Sequence, residues 1–190
     1  MPNWCQNNAT FSHKNVEMMK KLIKAANGDH ALFDSFVPMP EELRNTVSPS
    51  PSNESLVEKY GASDWYQWAV NNWGTKWDVS VDDCDVSEND KGDPVDATLW
   101  FDTAWSPPIE FYNSMTELGF EIDATYTEES MAFAGHYLNG EDNCVELDFD
   151  DESEHWISEI EDEDLRYLVM GQYEMWREWQ AEYSEENEEA

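Results

Sequence analysis

Carboxylates at every second position carry the most chemistry in this sequence. In 76–82, Asp78, Ser80 and Asp82 alternate with Trp77, Val79 and Val81. In 95–102, Asp96, Thr98, Trp100 and Asp102 alternate with Val95, Ala97, Leu99 and Phe101. The same pattern sets Glu121, Asp123 and Thr125 against Phe120, Ile122, Ala124 and Tyr126, and Glu146, Asp148 and Asp150 against Val145, Leu147 and Phe149. Residues two apart in a strand share a face and lie about 6.6–6.8 Å apart. That step is comparable to the spacing of phosphates along a nucleic-acid strand, so a DNA-binding protein could accept such a face in place of DNA. Half-exposed antiparallel strands alternate apolar and polar residues in any case. Asp is nevertheless a poor strand former, and like charges facing each other across strands destabilise. A face filled with Asp therefore has a cost that solubility alone does not require. The candidate partner-binding residues are Asp78, Asp82, Asp96, Glu121, Asp123, Glu146, Asp148, Asp150 and Asp151. Glu159, Glu161, Asp162, Glu163 and Asp164 form a second cluster, at the start of a C-terminal helix whose dipole they also suit.

Other chemistry is weakly represented. The run from Asp82 to Asp90 is rich in oxygen ligands but lacks the glycine and closing Glu of an EF-hand loop, and reads as a solvated hairpin loop. His13, His30, His136 and His155 show no zinc-enzyme spacing, and no nucleophile elbow, P-loop or dinucleotide fingerprint appears. Among 43 acids, an acid–base pair is expected by chance. The expectation is a protein without enzymatic activity, without a metal and without a cofactor. Cys5, Cys84 and Cys144 are odd in number and widely spaced, so they suggest no disulfide framework. The start, Met1 to Cys5, has none of the character of a signal peptide, and no apolar run approaches a membrane span. A reducing cytoplasm is the expected location.

The tryptophans have two readings. Trp4, Trp73, Trp77 and Trp105 lie in short strings that can gather around the turns at 72–74 and 106–108. Core and turn packing is the plain role. A small recognition pocket lined by Trp73 and Trp105, with Asn3 and Asn72 supplying polar contacts, is the sharper one.

These residues need elements to hold them. Trp4–Phe11 reads as a strand. Residues 13–26 then take helical spacing, with Val16, Met19, Ile23 and Ala26 on one face, ended by Asn27-Gly28. Residues 29–60, with Pro38, Pro40, Pro49 and Pro51, read as an irregular connection. A short helix over 64–72, capped by Ser63, follows. Strands are expected at 76–81, 95–102, 120–127, 131–137 and 143–150. A helix starting at Ser106-Pro107-Pro108 carries Ile109, Tyr112, Met115 and Leu118. The last helix, about 161–183, has an aromatic seam of Leu165, Val169, Gln172, Trp176, Trp179 and Tyr183 that reads as docked on the sheet or on a neighbouring subunit. Strand, helix, strand, strand, helix, strand is the split βαβ order of a ferredoxin-like α+β fold. Helices are expected on one face, with an extra hairpin and the long acidic helix added. The division into units is 1–150 for this domain and 151–190 for the acidic helix and tail.

The net charge is −33, and residues 141–190 hold 20 acids against 2 bases. A globule of this length is about 40 Å across, a span in which duplex DNA carries roughly 24 charges. Solubility of a small domain needs a net charge of only about 2–8 in magnitude. Such a chain repels nucleic acid and anionic membrane and attracts basic surfaces. The expected partner is a basic protein that itself binds DNA, with no direct nucleic-acid or membrane binding. A homodimer is also compatible with the sequence.

Four strings occur in order: Met1-Pro2-Asn3-Trp4-Cys5-Gln6-Asn7, Asn72-Trp73-Gly74-Thr75-Lys76-Trp77-Asp78, Thr103-Ala104-Trp105-Ser106-Pro107-Pro108 and Phe133-Ala134-Gly135. Together they resemble the YubB ferredoxin-like family of bacteriophages and conjugative plasmids, over about residues 1–140. The resemblance implies a ferredoxin-like fold, a mobile-element origin and so a bacterial host cell, but no particular activity. The combined expectation is a DNA mimic that inhibits a host DNA-binding or anti-phage defence protein. The alternative is a small-ligand or adaptor module that uses the Trp-rich strings, its acidity serving only solubility.

Overall fold

The computed structural model describes residues 3–28, 32–51, 53–130, 132–150 and 152–188, with side chains through Tyr183. Asp151 and His30 lie outside these residues. The first strand, β1 (Trp4–Ser12), alternates exposed and buried positions, placing Cys5, Asn7, Ala9 and Phe11 inside. Helix α1 (Val16–Ala26) follows, capped by the Asn15 side chain, which accepts from the Glu17 amide at 3.0 Å. Its buried face is Met19, Leu22, Ala25 and Ala26. The long connection holds two short helices, α2 (Glu41–Arg44) and α3 (Glu54–Tyr60), before α4 (Trp65–Trp73). Asp64 and not Ser63 caps α4, accepting from Gln67 N at 3.0 Å.

The expected strand at 76–81 is absent. That segment is irregular, and the ladder begins later, at β2 (Asp83–Glu88), inside the run read from sequence as a hairpin loop. The physical reason lies at Asp78, which turns inward to accept from the Phe33 and Asp34 amides at 2.8 and 2.9 Å. Val79 is buried beside it. In β2, Cys84 and Val86 pack on the core while Asp83 and Asp85 face out, so an edge strand tolerates acids that a central one would not.

Next come β3 (Pro94–Ala104), α5 (Ile109–Glu117), β4 (Glu121–Glu128), β5 (Phe133–Leu138) and β6 (Glu141–Glu146). The six strands run in the order β2-β3-β1-β4-β5-β6, and every neighbouring pair is antiparallel. The first four in that order are the ferredoxin-like core, and β5–β6 is the added hairpin. One face carries the main core, where Ala9, Phe11, Leu99, Phe101, Ile122 and Ala124 meet residues of α1, α4 and α5.

The last two helices are α6 (Ser153–Ser158) and α7 (Glu163–Glu188). They do not join the other helices on that face. Ala134, Leu165, Val169, Ile157 and Tyr173 form a second core, packed by Val145, Phe149 and Trp176, on the opposite face over β5 and β6. The expectation of helices on one face holds for the helices of the ferredoxin-like part, while the added C-terminal helices lie on the other. Aromatic packing explains the difference: Phe149 sits 5.5 Å from Tyr173 and 6.1 Å from Trp176, ring centre to ring centre. The seam docks as far as Trp176, while Trp179 and Tyr183 are exposed and stack on each other. Among the described residues no helix is long and apolar enough to cross a membrane.

Candidate functional site

The tryptophan strings meet at one end of the sheet. Thr75 donates its hydroxyl to the Ala104 carbonyl at 3.0 Å, and Ser106 donates to the Gly74 carbonyl at 2.7 Å. The Trp105 amide donates to the Asn3 carbonyl, just before β1. Gly74 has φ +83°, and a Cβ there would stand 2.9 Å from the Ile109 nitrogen, so only glycine fits between the end of α4 and the start of α5. Three separated strings are thereby locked around the first residue of β1 and the last of β3, which are paired as Trp4 and Ala104.

That lock exposes three indoles in a row. Trp77 lies between Trp4 and Trp105, with ring centres 6.4 Å away on each side, and it stacks on Trp105. Trp4 is 48% and Trp77 39% exposed. Lys76 already covers one side, its Nζ 4.2 Å from the Trp77 ring and 4.8 Å from that of Trp105. The indoles border a cleft of about 550 Å³, whose lining includes Trp4, Trp77, Asp78, Asp82, Asp102 and Ala104. Burial, and then the neighbouring charge of Asp82, push the Asp102 carboxyl above the ordinary Asp range. Two carboxylates that repel each other beside partly exposed indoles can together attract an organic cation. The indole attracts it by its ring quadrupole and the acids by charge.

The pocket expected from sequence is differently built. Trp73 is only 4% exposed, packs on Trp68 and Phe33, and gives its indole N–H to the Val37 carbonyl. Asn72 bonds back to the Trp68 carbonyl within its own helix. Asn3 contributes a backbone carbonyl to the lock. Trp105 stands behind Trp77, stacked on its ring. Trp4 and Asp102 complete the cleft. The signal for them was present in the sequence: Trp4 opens an alternating strand, and Asp102 ends the polar side of another.

The expected carboxylate array is broken up. Asp78 holds backbone amides, and burial raises its pKa above the usual value. On the face away from the main core, β1 shows Gln6, Asn8, Thr10 and Ser12, and these neutral residues stand between the acids of β3 and β4. Asp96 and Glu121 flank Ser12, and Asp123 pairs across from Thr10. Repulsion between directly opposed carboxylates is avoided in this way. Glu146 registers opposite Phe133, two steps along β5 from buried Tyr137, and so projects to the other side. Asp148 is exposed beyond β6, and Asp150 accepts from the Ser153 hydroxyl at the head of α6. Glu159, Glu161, Glu163 and Asp164 are exposed. Asp162 is half-buried and caps α7 through the Leu165 amide at 3.0 Å. The acids of the open half-face are thus Asp83, Asp85, Asp96 and Asp102, with Asp82 at its rim.

A family model described as a ferredoxin-like domain in Api92-like protein matches residues 74–170. The crystal structure of a protein api92 from Yersinia pseudotuberculosis is similar at a TM-score of 0.42 and 11% identity, over 79% of this chain and 99% of that one. No curated protein matches the chain.

Proposed function

The chain belongs to the family of the ferredoxin-like domain in Api92-like protein, a fold that decides no activity by itself, and we propose that it is a non-enzymatic binding protein for a basic segment of another protein. A Lys or Arg side chain of that segment lies against the exposed parts of Trp4 and Trp77 and meets Asp82 and Asp102. The observation that carries this reading is the placement of a repelling carboxylate pair beside two partly exposed indoles in one cleft. A cation there is worth about 0.5–2 kcal/mol from the indole alone. Flanking segments of the partner would run over Asp83, Asp85 and Asp96. The finer form of the proposal is a phage or plasmid protein of the YubB kind that occupies the DNA site of a host DNA-binding or defence protein. A second reading uses the same cleft: its volume lies in the range of small-molecule sites, and a small organic cation would meet the same groups.

The test is binding of a short fluorescent Arg/Lys peptide, measured by anisotropy across salt. Trp4→Ala and Asp102→Asn are each expected to weaken it about fivefold to thirtyfold. Glu117→Gln on α5, which removes the same charge elsewhere, should change it little. Equal loss from Asp102→Asn and Glu117→Gln, with none from Trp4→Ala, would leave only bulk charge and sink the cleft. Mimicry is tested separately, by asking whether duplex DNA displaces basic proteins captured from bacterial lysate. Failure to displace them removes mimicry and leaves the cleft standing.

A further inference from the structure

Away from the tryptophan cleft, His136 of β5 is 3% exposed and flanked by carboxylates on both ring nitrogens. Its Nδ1 lies 2.8 Å from Asp162, and its Nε2 lies 3.0 Å from Asp123 of β4. Asp164, in the first turn of α7, brings a third carboxylate close by. Ligand atoms of Asp123, His136 and Asp164 all lie within 4.8 Å of one another. We infer that Asp123, His136 and Asp164 bind one divalent transition-metal ion of the zinc class, with Asp162 fixing the imidazole from behind.

The chemistry of the set favours this over loose charge. A buried imidazole is a borderline ligand suited to Zn²⁺ or Co²⁺, whereas exposed acids alone hold Mg²⁺ or Ca²⁺ weakly. Metal-bound histidines usually give the far ring N–H to a carboxylate, which fixes the tautomer and raises ligand basicity. Asp162 stands in that position, and it is itself held by the Leu165 amide and by Asn143 Nδ2 at 3.2 Å. Bonds of about 2.0–2.2 Å to the metal place neighbouring donors roughly 3 Å apart. The Asp123–His136 pair already meets that spacing, and the exposed Asp164 carboxylate has only to turn inward. Without metal, each ring nitrogen lies within hydrogen-bond distance of a carboxylate. On binding, the metal replaces the Nε2 proton, which leaves to solvent, while Nδ1–H stays on Asp162. Nothing is oxidised or reduced. The remaining coordination positions face the groove between α7 and the sheet and would hold water.

The test uses full-length protein stripped with chelator, titrated with Zn²⁺ and Co²⁺ by calorimetry at neutral pH, with Mg²⁺ as reference. One Zn²⁺ site at least tenfold tighter than Mg²⁺ is expected, together with a Zn²⁺-induced shift of the His136 Nε2 signal in ¹⁵N NMR. Asp164→Asn, an exposed change that should preserve the circular dichroism spectrum, is expected to weaken Zn²⁺ tenfold or more. His136→Gln should remove the site. Zn²⁺ binding no tighter than Mg²⁺, an unmoved Nε2 signal, or full affinity in Asp164→Asn would each overturn the proposal.

Discussion

The ring of Tyr126 fills the space that a side chain at Gly135 would need. The two are paired across β4 and β5, and a Cβ on Gly135 would overlap the phenol. The Tyr126 hydroxyl reaches on to donate to Asp142 of β6 at 2.8 Å, so the ring bridges three strands. Gly135→Ala is therefore expected to cost about 1–3 kcal/mol by overpacking. Chemical denaturation would show this as a lower midpoint at unchanged slope. Stability equal to the parent would mean that the ring moves aside freely.

Asp102 makes a pH prediction. Its folded pKa is raised, by burial and then by Asp82. The protonated form is thus favoured by folding. This contribution is complete below the unfolded pKa and is lost as pH rises through the folded one. At neutral pH the ionised carboxylate opposes folding, so Asp102→Asn should raise the melting temperature at pH 7. The gain should vanish near pH 3. A melting temperature that falls at pH 7 would show that Asp102 is held by a stabilising partner.

Thiol reactivity should split. Cys5 is fully buried in β1, and burial pushes its pKa up to about 12 despite the Thr103 hydroxyl, which works the other way. Thiolate is the reactive form. Ellman's reagent at pH 8 is expected to label Cys144, which is exposed, and Cys84, which is half-buried. Cys5 should react only on unfolding. Three thiols reacting together in the native protein would contradict its burial.

The His136–Asp162 contact joins the middle of β5 to the head of α7. In chelator, His136→Gln should cost about 1–3 kcal/mol, the scale of hydrogen bonds to charged groups. Amides over 163–176 should then exchange with deuterium faster than those of α1. Equal protection of α7 in both proteins would assign its docking to the aromatic packing alone.

The main elements were readable because their signals are local. β1, β3 and β4 alternate with period two, β5 shows as a short apolar and aromatic run, and α1 and α5 show helical spacing between clear stops. The misplacement of β2 has a specific cause. Trp77, Val79 and Val81 alternate like a strand, but Trp77 serves the indole stack while Val79 packs on the core from an irregular segment. The true strand, Asp83–Glu88, is composed like a loop. The side of the sheet that α7 covers depends on Phe149 and Ala134 lying together on the second face, a long-range fact with no local signature. Of the site, the strings and most of the tryptophans were visible. That Trp73 is core and Trp4 is surface depended on which way each ring turns in the assembled fold.

Both outer strands of the sheet are acidic. β2 ends one side with Asp83, Asp85 and Glu88, and β6 ends the other with Glu141, Asp142 and Glu146. Strand edges are where sheets from separate molecules would otherwise zip together. Here each approach brings carboxylate against carboxylate, so the sheet should resist end-on growth into fibrils at concentrations where a neutral edge would nucleate them. The charge then protects the folded chain from its own copies, whatever else it attracts.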